Sequence, residues 1–194
     1  MNHDSWRIVD RGRRGVTTIL INQGTALALA GTIILCAGSV AQTKAPAKPS
    51  LKETTAWMEN FSSQHGFVTL NTGLMRTNVL RALKECAVSV EITYPNATKV
   101  GQIKKLTATI ALSDFDPSTV RAETDKDAGT YEVDFERSDS SPGIEENTEM
   151  GDGKKGKMWT SQEILFFDSE ESARRFAHAL VNAINLCGGK PAPF

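Results

Sequence analysis

Chemistry in this chain would have to come from a short set of residues. The run Gly151-Asp152-Gly153-Lys154-Lys155-Gly156-Lys157 joins glycines, which let backbone amides approach a ligand, to ammonium groups, and these are the parts of an anion-binding nest. It lacks the Walker spacing and no helical pattern follows it, so a solvated hairpin loop is the expectation. Five carboxylates, Asp114, Asp116, Glu145, Glu146 and Glu149, could build a calcium site or an acid/base pair. No calcium-loop spacing connects them, and turn capping and solubility are the expected roles. A serine nucleophile would need a Gly-x-Ser-x-Gly setting or a histidine partner, and neither is legible. His65 falls at the end of a helical pattern, where it complements the C-terminal dipole. His178 has no ligand partner at metal spacing. The expectation is no catalytic residue, no metal site and no cofactor.

Cysteine carries the one sharp chemical expectation. Cys36 lies in a segment expected to be removed, which leaves Cys86 and Cys187, an even count that an oxidising compartment would normally bridge. Cys86 shares a strand face with Val88, Val90 and Ile92, and Cys187 ends the apolar stripe of a helix expected to pack on that face. Two separate buried thiols are the alternative reading.

That helix is the clearest element. Ala173, Phe176, Ala177, Leu180, Ile184 and Cys187 recur at three- and four-residue steps, which places them along one side. Asp168 is the expected N-cap, with Glu171 closing a capping box. Gly188, Gly189 and Pro191 end the helix. A stripe of this kind must cover something apolar, and residues 158–167, ending Ile164-Leu165-Phe166-Phe167, read as a strand of the sheet beneath it.

The N-terminus reads as an address. Arg7, Arg11, Arg13 and Arg14 precede an apolar run from 26 to 37, and Ser39-Val40-Ala41 fits signal-peptidase cleavage. Residues 1–41 are the expected signal peptide, with an uncleaved anchor as the alternative. Residues 42–49 form an expected flexible tether. Removing residues 1–41 takes Lys plus Arg from 22 to 18 and Asp plus Glu from 23 to 21, a mildly acidic balance without the basic face of a nucleic-acid binder. The remaining 153 residues suit one domain, over 50–194.

Within it, Ser50 and Glu53 mark a second capping box, opening a helix that buries Leu51, Thr54, Met58 and Phe61 and stops at His65-Gly66. Alternation then predicts about seven short strands. The strongest is Cys86-Val88-Val90-Ile92-Tyr94, followed by Leu106-Ala108-Ile110-Leu112 and Tyr131-Val133-Phe135. Residues 138–157, rich in glycine, serine and charge, are expected to be a mobile loop.

The order of a helix, about seven antiparallel strands and a terminal helix over the sheet resembles the pleckstrin-homology-like superfold, an α+β architecture with a strongly bent sheet. The run Leu112-Ser113-Asp114-Phe115-Asp116-Pro117-Ser118-Thr119-Val120, the run from His178 through Leu186-Cys187-Gly188-Gly189-Lys190, and Pro193-Phe194 are similar to a pattern in uncharacterised exported bacterial proteins. Phosphoinositide binding, which the superfold would suggest, lacks a basic cluster between the first strands. The expected function is an exported, periplasmic or secreted, non-catalytic domain that binds a protein, peptide or small ligand. A hydrolase whose carboxylates converge only in three dimensions is the alternative. No nucleic acid is expected as a partner, and a membrane only through an uncleaved signal.

Overall fold

The computed structural model describes residues 48–97 and 99–191; the expected signal and most of the expected tether lie outside them. Helix α1 (Leu51–His65) leads into strands β1 (Phe67–Thr69), β2 (Met75–Ala82), β3 (Ala87–Thr93) and β4 (Ile103–Ala111). A turn of 3-10 helix, Leu112–Asp114, precedes β5 (Arg121–Asp125), β6 (Thr130–Glu136), β7 (Ile144–Met150), β8 (Lys155–Thr160), β9 (Gln162–Phe167) and α2 (Glu170–Leu186). The architecture is α+β. Six strands follow the order β1-β2-β3-β4-β7-β8 and three the order β5-β6-β9, and the pairing is antiparallel throughout. Among the described residues, nine strands in two sheets therefore replace the single sheet of about seven expected from alternation.

Much of that difference is the segment 138–157. It holds β7 and the start of β8, a hairpin whose turn places Gly153 at φ +82. The segment was expected to be a loop because β8 buries neither face, so its alternation carries no apolar signal; register with β7 and the Lys157–Glu145 ion pair at 2.6 Å hold it instead.

Helix α1 begins as its sequence dictates. Ser50 Oγ accepts the Glu53 amide at 3.3 Å while a Glu53 oxygen accepts the Ser50 amide at 2.8 Å, the reciprocal capping box. Helix α2 starts one residue later than expected. Ser169, not Asp168, is its N-cap, with Ser169 Oγ accepting the Ser172 amide at 3.2 Å. Asp168 is engaged elsewhere: its carboxylate meets His65 Nδ1 at 2.8 Å and its amide donates to the His65 carbonyl at 3.0 Å, tying the end of α1 to the approach of α2.

Strands β2 and β9 have their outward groups satisfied by unlike elements. Beyond β1, the outward amides of β2 find partners on α1: Asn78 donates to the Gly66 carbonyl at 2.7 Å, Leu80 to Ser62 Oγ at 2.9 Å and Ala82 to a Glu59 oxygen at 3.2 Å. A two-residue step on the strand is thus matched by a three- to four-residue step on the helix. This closeness explains Gly66, where a Cβ would fall 2.2 Å from the Asn78 carbonyl oxygen. Strand β9 is bridged to β2 by side chains, with the Phe166 amide donating to Asn78 Oδ1 at 2.8 Å and an Arg76 guanidinium nitrogen to the Ile164 carbonyl at 2.6 Å. An edge strand satisfied in this way no longer offers itself as a template.

Both sheets and both helices share one core. The α2 stripe of Ala173, Phe176, Ala177, Leu180, Ala183 and Ile184 is buried, and the Phe176 ring lies 4.8 Å from that of Phe167. Phe176→Ala is expected to destabilise the domain by about 3 kcal/mol through lost burial and a residual cavity; a melting temperature equal to that of the native protein would contradict the packing. The chain closes with a disulfide. Cys86, just before β3, and Cys187, the C-cap of α2, are bridged with Cα atoms 5.6 Å apart. Gly188, at φ +77, then ends the helix.

Candidate functional site

The carboxylates singled out by sequence do not converge. Asp114 pairs with Arg137 at 3.1 Å, and buried Asp116 accepts the Ser118 amide and hydroxyl at 2.8 and 2.7 Å, a turn cap. Strand alternation sends Glu145 and Glu149 to the outer face of β7 and Glu146 to the buried one. In the run 151–157, Asp152 pairs with Lys154 at 2.9 Å and Lys157 with Glu145, so the local acids already engage two of its three lysines. Among the described residues, no group of three or more His, Cys, Asp and Glu side chains is placed to hold a metal ion.

Two other places draw attention. The first is a groove of about 660 Å³ between α1 and α2. Trp57, Pro49 and Ala179 give it an apolar lining, and Glu53, His178 and Asn182 supply polar groups. Asn182 Nδ2 donates to Thr54 Oγ1 at 3.0 Å, linking the two helices beside it. Trp57 is braced from behind, stacked on Phe61 with centroids 4.4 Å apart, and the Arg175 guanidinium lies 5.2 Å from the Phe61 centroid. Hydrogen bonds from Ser50 hold the Glu53 carboxyl below its ordinary range.

The second place is a buried polar cluster. Arg76 and Asn78 from β2, Glu146 from β7 and Glu163 from β9 bring charge into the interior, where Asn78 is 0 %, Glu163 3 % and Glu146 7 % exposed. Burial, reinforced by Glu146 and opposed by Arg76, pushes the Glu163 carboxyl up to about 8. Burial also raises Glu146, against the pull of Arg76, and lowers Arg76 despite the nearby Tyr94 and Glu163. Arg76 stacks on the Phe166 ring at 4.2 Å, yet its Nε, Asn78 Nδ2 and Glu163 Oε2 have no hydrogen-bond partner among the described residues. On the other face of the small sheet, burial together with Glu123 and Glu132 raises Asp134 to about 6, opposed by Arg121.

Of the cluster, only Glu146 is among the carboxylates that the sequence marks out. The signal was present as parity: Glu163 lies two and four residues before Leu165 and Phe167, and Arg76 and Asn78 precede Leu80 in the same way, so all fall on core-facing positions. His65, expected to complement a helix dipole, does end α1 and adds the Asp168 contact. Burial raises the Asp168 carboxyl, but hydrogen bonds from His65, Ser172 and Ser169 outweigh it and leave the group below its ordinary range.

The chain matches no known family model, and no curated protein or solved structure is significantly similar to it.

Proposed function

We propose that this protein is an exported, non-catalytic binding domain of pleckstrin-homology-like architecture, and that the groove between α1 and α2 receives a small, largely apolar ligand with a polar end. The groove carries this reading. Its volume of about 660 Å³ falls in the range of small-molecule sites, and an apolar lining with a few polar groups is their usual composition. Trp57 offers a rigid aromatic wall whose orientation is fixed by Phe61 before any ligand arrives. Export is supported by the Cys86–Cys187 bridge, which belongs to oxidising compartments, and among the described residues no helix is long and apolar enough to cross a membrane. The architecture is supported by the antiparallel sheets and by α2 packing over β5, β6 and β9. The hydrolase alternative would need two carboxylates facing one cavity with room for a substrate; Asp134 and Glu136 share a hollow of only about 90 Å³, below the range of small-molecule sites, and Glu146 and Glu163 lie outside the groove.

Titration with anilinonaphthalene sulfonate is expected to give saturable binding that shifts the Trp57 indole N–H resonance. Ala179→Arg, which fills the groove from α2, should weaken it about tenfold, a loss near 1.4 kcal/mol. Equal binding by the variant, or an unmoved Trp57 resonance, would rule the groove out as the site.

A further inference from the structure

Among the described residues, strand β8 ends the large sheet with no further strand paired to it. It has β7 on one side only, and Lys155, Gly156, Lys157, Met158 and Trp159 are all exposed. The other ends of the sheets differ. The amides of β2 are taken by α1, β9 is joined to β2 by Asn78 and Arg76, and β5 is a five-residue strand bearing Arg121, Glu123 and Asp125 that packs against α2. Short, charged or covered edges resist pairing. β8 is six residues long and carries two large apolar side chains, Met158 at 45 % and Trp159 at 58 % exposure, on opposite faces.

The register with β7 sets the chemistry of each face. Lys155 lies opposite Glu149, Lys157 opposite Asn147 and Trp159 opposite Glu145, all on the outer face; Gly156 and Met158 lie on the inner one. An open hollow of about 490 Å³ lies on the β7–β8 hairpin, lined by Asn147 and Thr148 of β7 and by Lys155, Gly156 and Lys157 of β8. We infer that β8 receives an extended segment of a partner protein as an added strand, with acidic side chains at alternate positions meeting Lys155 and Lys157 and an apolar one meeting Trp159. Backbone hydrogen bonds supply affinity in such strand addition and alternate side chains supply selectivity. Charge decides between partners. A second copy, paired antiparallel about a two-fold axis normal to the sheet, would bring both sets of Lys155 and Lys157 onto one face, and facing like charges are unfavourable. An acidic strand is met by Lys155 directly and by Lys157 in exchange with Glu145, its partner on the same face, since the Lys157 side chain is 62 % exposed. This surface is separate from the groove between the helices, so either reading can fail alone.

The test uses a short synthetic peptide of alternating Glu and Thr, with an alternating Lys and Thr peptide as control. The Glu peptide is expected to bind, slowing hydrogen exchange at every second amide of β8, and the Lys peptide is not. Lys155→Glu, at an exposed position outside the Lys157–Glu145 pair, should weaken the Glu peptide about tenfold; an unchanged melting temperature would show that the variant is folded. Three outcomes would overturn the inference: no preference for the Glu peptide, binding that leaves β8 exchange unaltered, or a concentration-dependent dimer that protects β8 in place of the peptide.

Discussion

Reduction of the Cys86–Cys187 bridge is expected to lower the stability of the domain by about 4–5 kcal/mol at 25 °C. The two cysteines are 101 residues apart, so in the unfolded state the bridge closes a loop that holds every element from β3 to α2 and leaves α1, β1 and β2 outside it, and the chain-entropy gain grows with the logarithm of that loop. In the folded state the bridge joins the residue before β3, whose carbonyl accepts the Leu112 amide at 2.8 Å, to the C-cap of α2. It therefore pins the last turn of the helix to the rim of the large sheet. The stripe from Ala173 to Ile184 packs without it, so the reduced protein should remain folded and lose stability rather than architecture. Denaturant unfolding of the oxidised protein, the reduced protein and a Cys86→Ala, Cys187→Ala double variant measures this. The reduced and double-variant proteins should agree with each other and fall below the oxidised one; a difference under about 1 kcal/mol would mean that the bridge adds nothing beyond an ordinary contact.

What could be read from sequence follows from where the physics is local. The Ser50–Glu53 box is complete within four residues, and the α2 stripe runs from Ala173 to Ile184 within one helix, so both stand out without any knowledge of neighbours. The cysteine pair was legible from its number and from the faces its members occupy. The N-cap of α2 was misplaced by one residue because Asp168 and Ser169 are both good caps, and only the distant His65 decides which is free. Strand β8 was hidden because it buries neither face. The cluster around Glu163 was hidden for the opposite reason, since charged residues at core parity look like breaks in the pattern until three strands are seen to bring them together. Helix α1 as the cover of the β2 edge, through Ser62 and Glu59, depends on docking that no local window contains.

Glu163 should make the protein lose stability as pH rises, opposite in sign to the usual acid-driven unfolding. Its carboxyl titrates from the ordinary 4.5 in the unfolded chain and from about 8 in the fold. Between those values the folded state holds a proton that the unfolded state has released, so stability falls with pH across that window by up to about 1.4 kcal/mol per unit, then levels off. Below the unfolded value both states are protonated and the contribution is intact. Burial sets this shift first, Glu146 on β7 pushes in the same direction, and Arg76 on β2 and the Ile164 backbone oppose it. Glu146 is itself raised by burial, and Asp134 is raised to about 6, so both add to the same downward slope. Glu163→Gln keeps the shape of the protonated side chain and removes its titration. The variant is expected to match the native protein at about pH 4 and to exceed its stability at about pH 9 by on the order of 4 kcal/mol. Denaturation midpoints collected across that range would show two curves that separate as pH rises; parallel curves would mean that Glu163 is ionised in the fold, compensated by Arg76, and that the interior cluster is an ion pair at neutral pH.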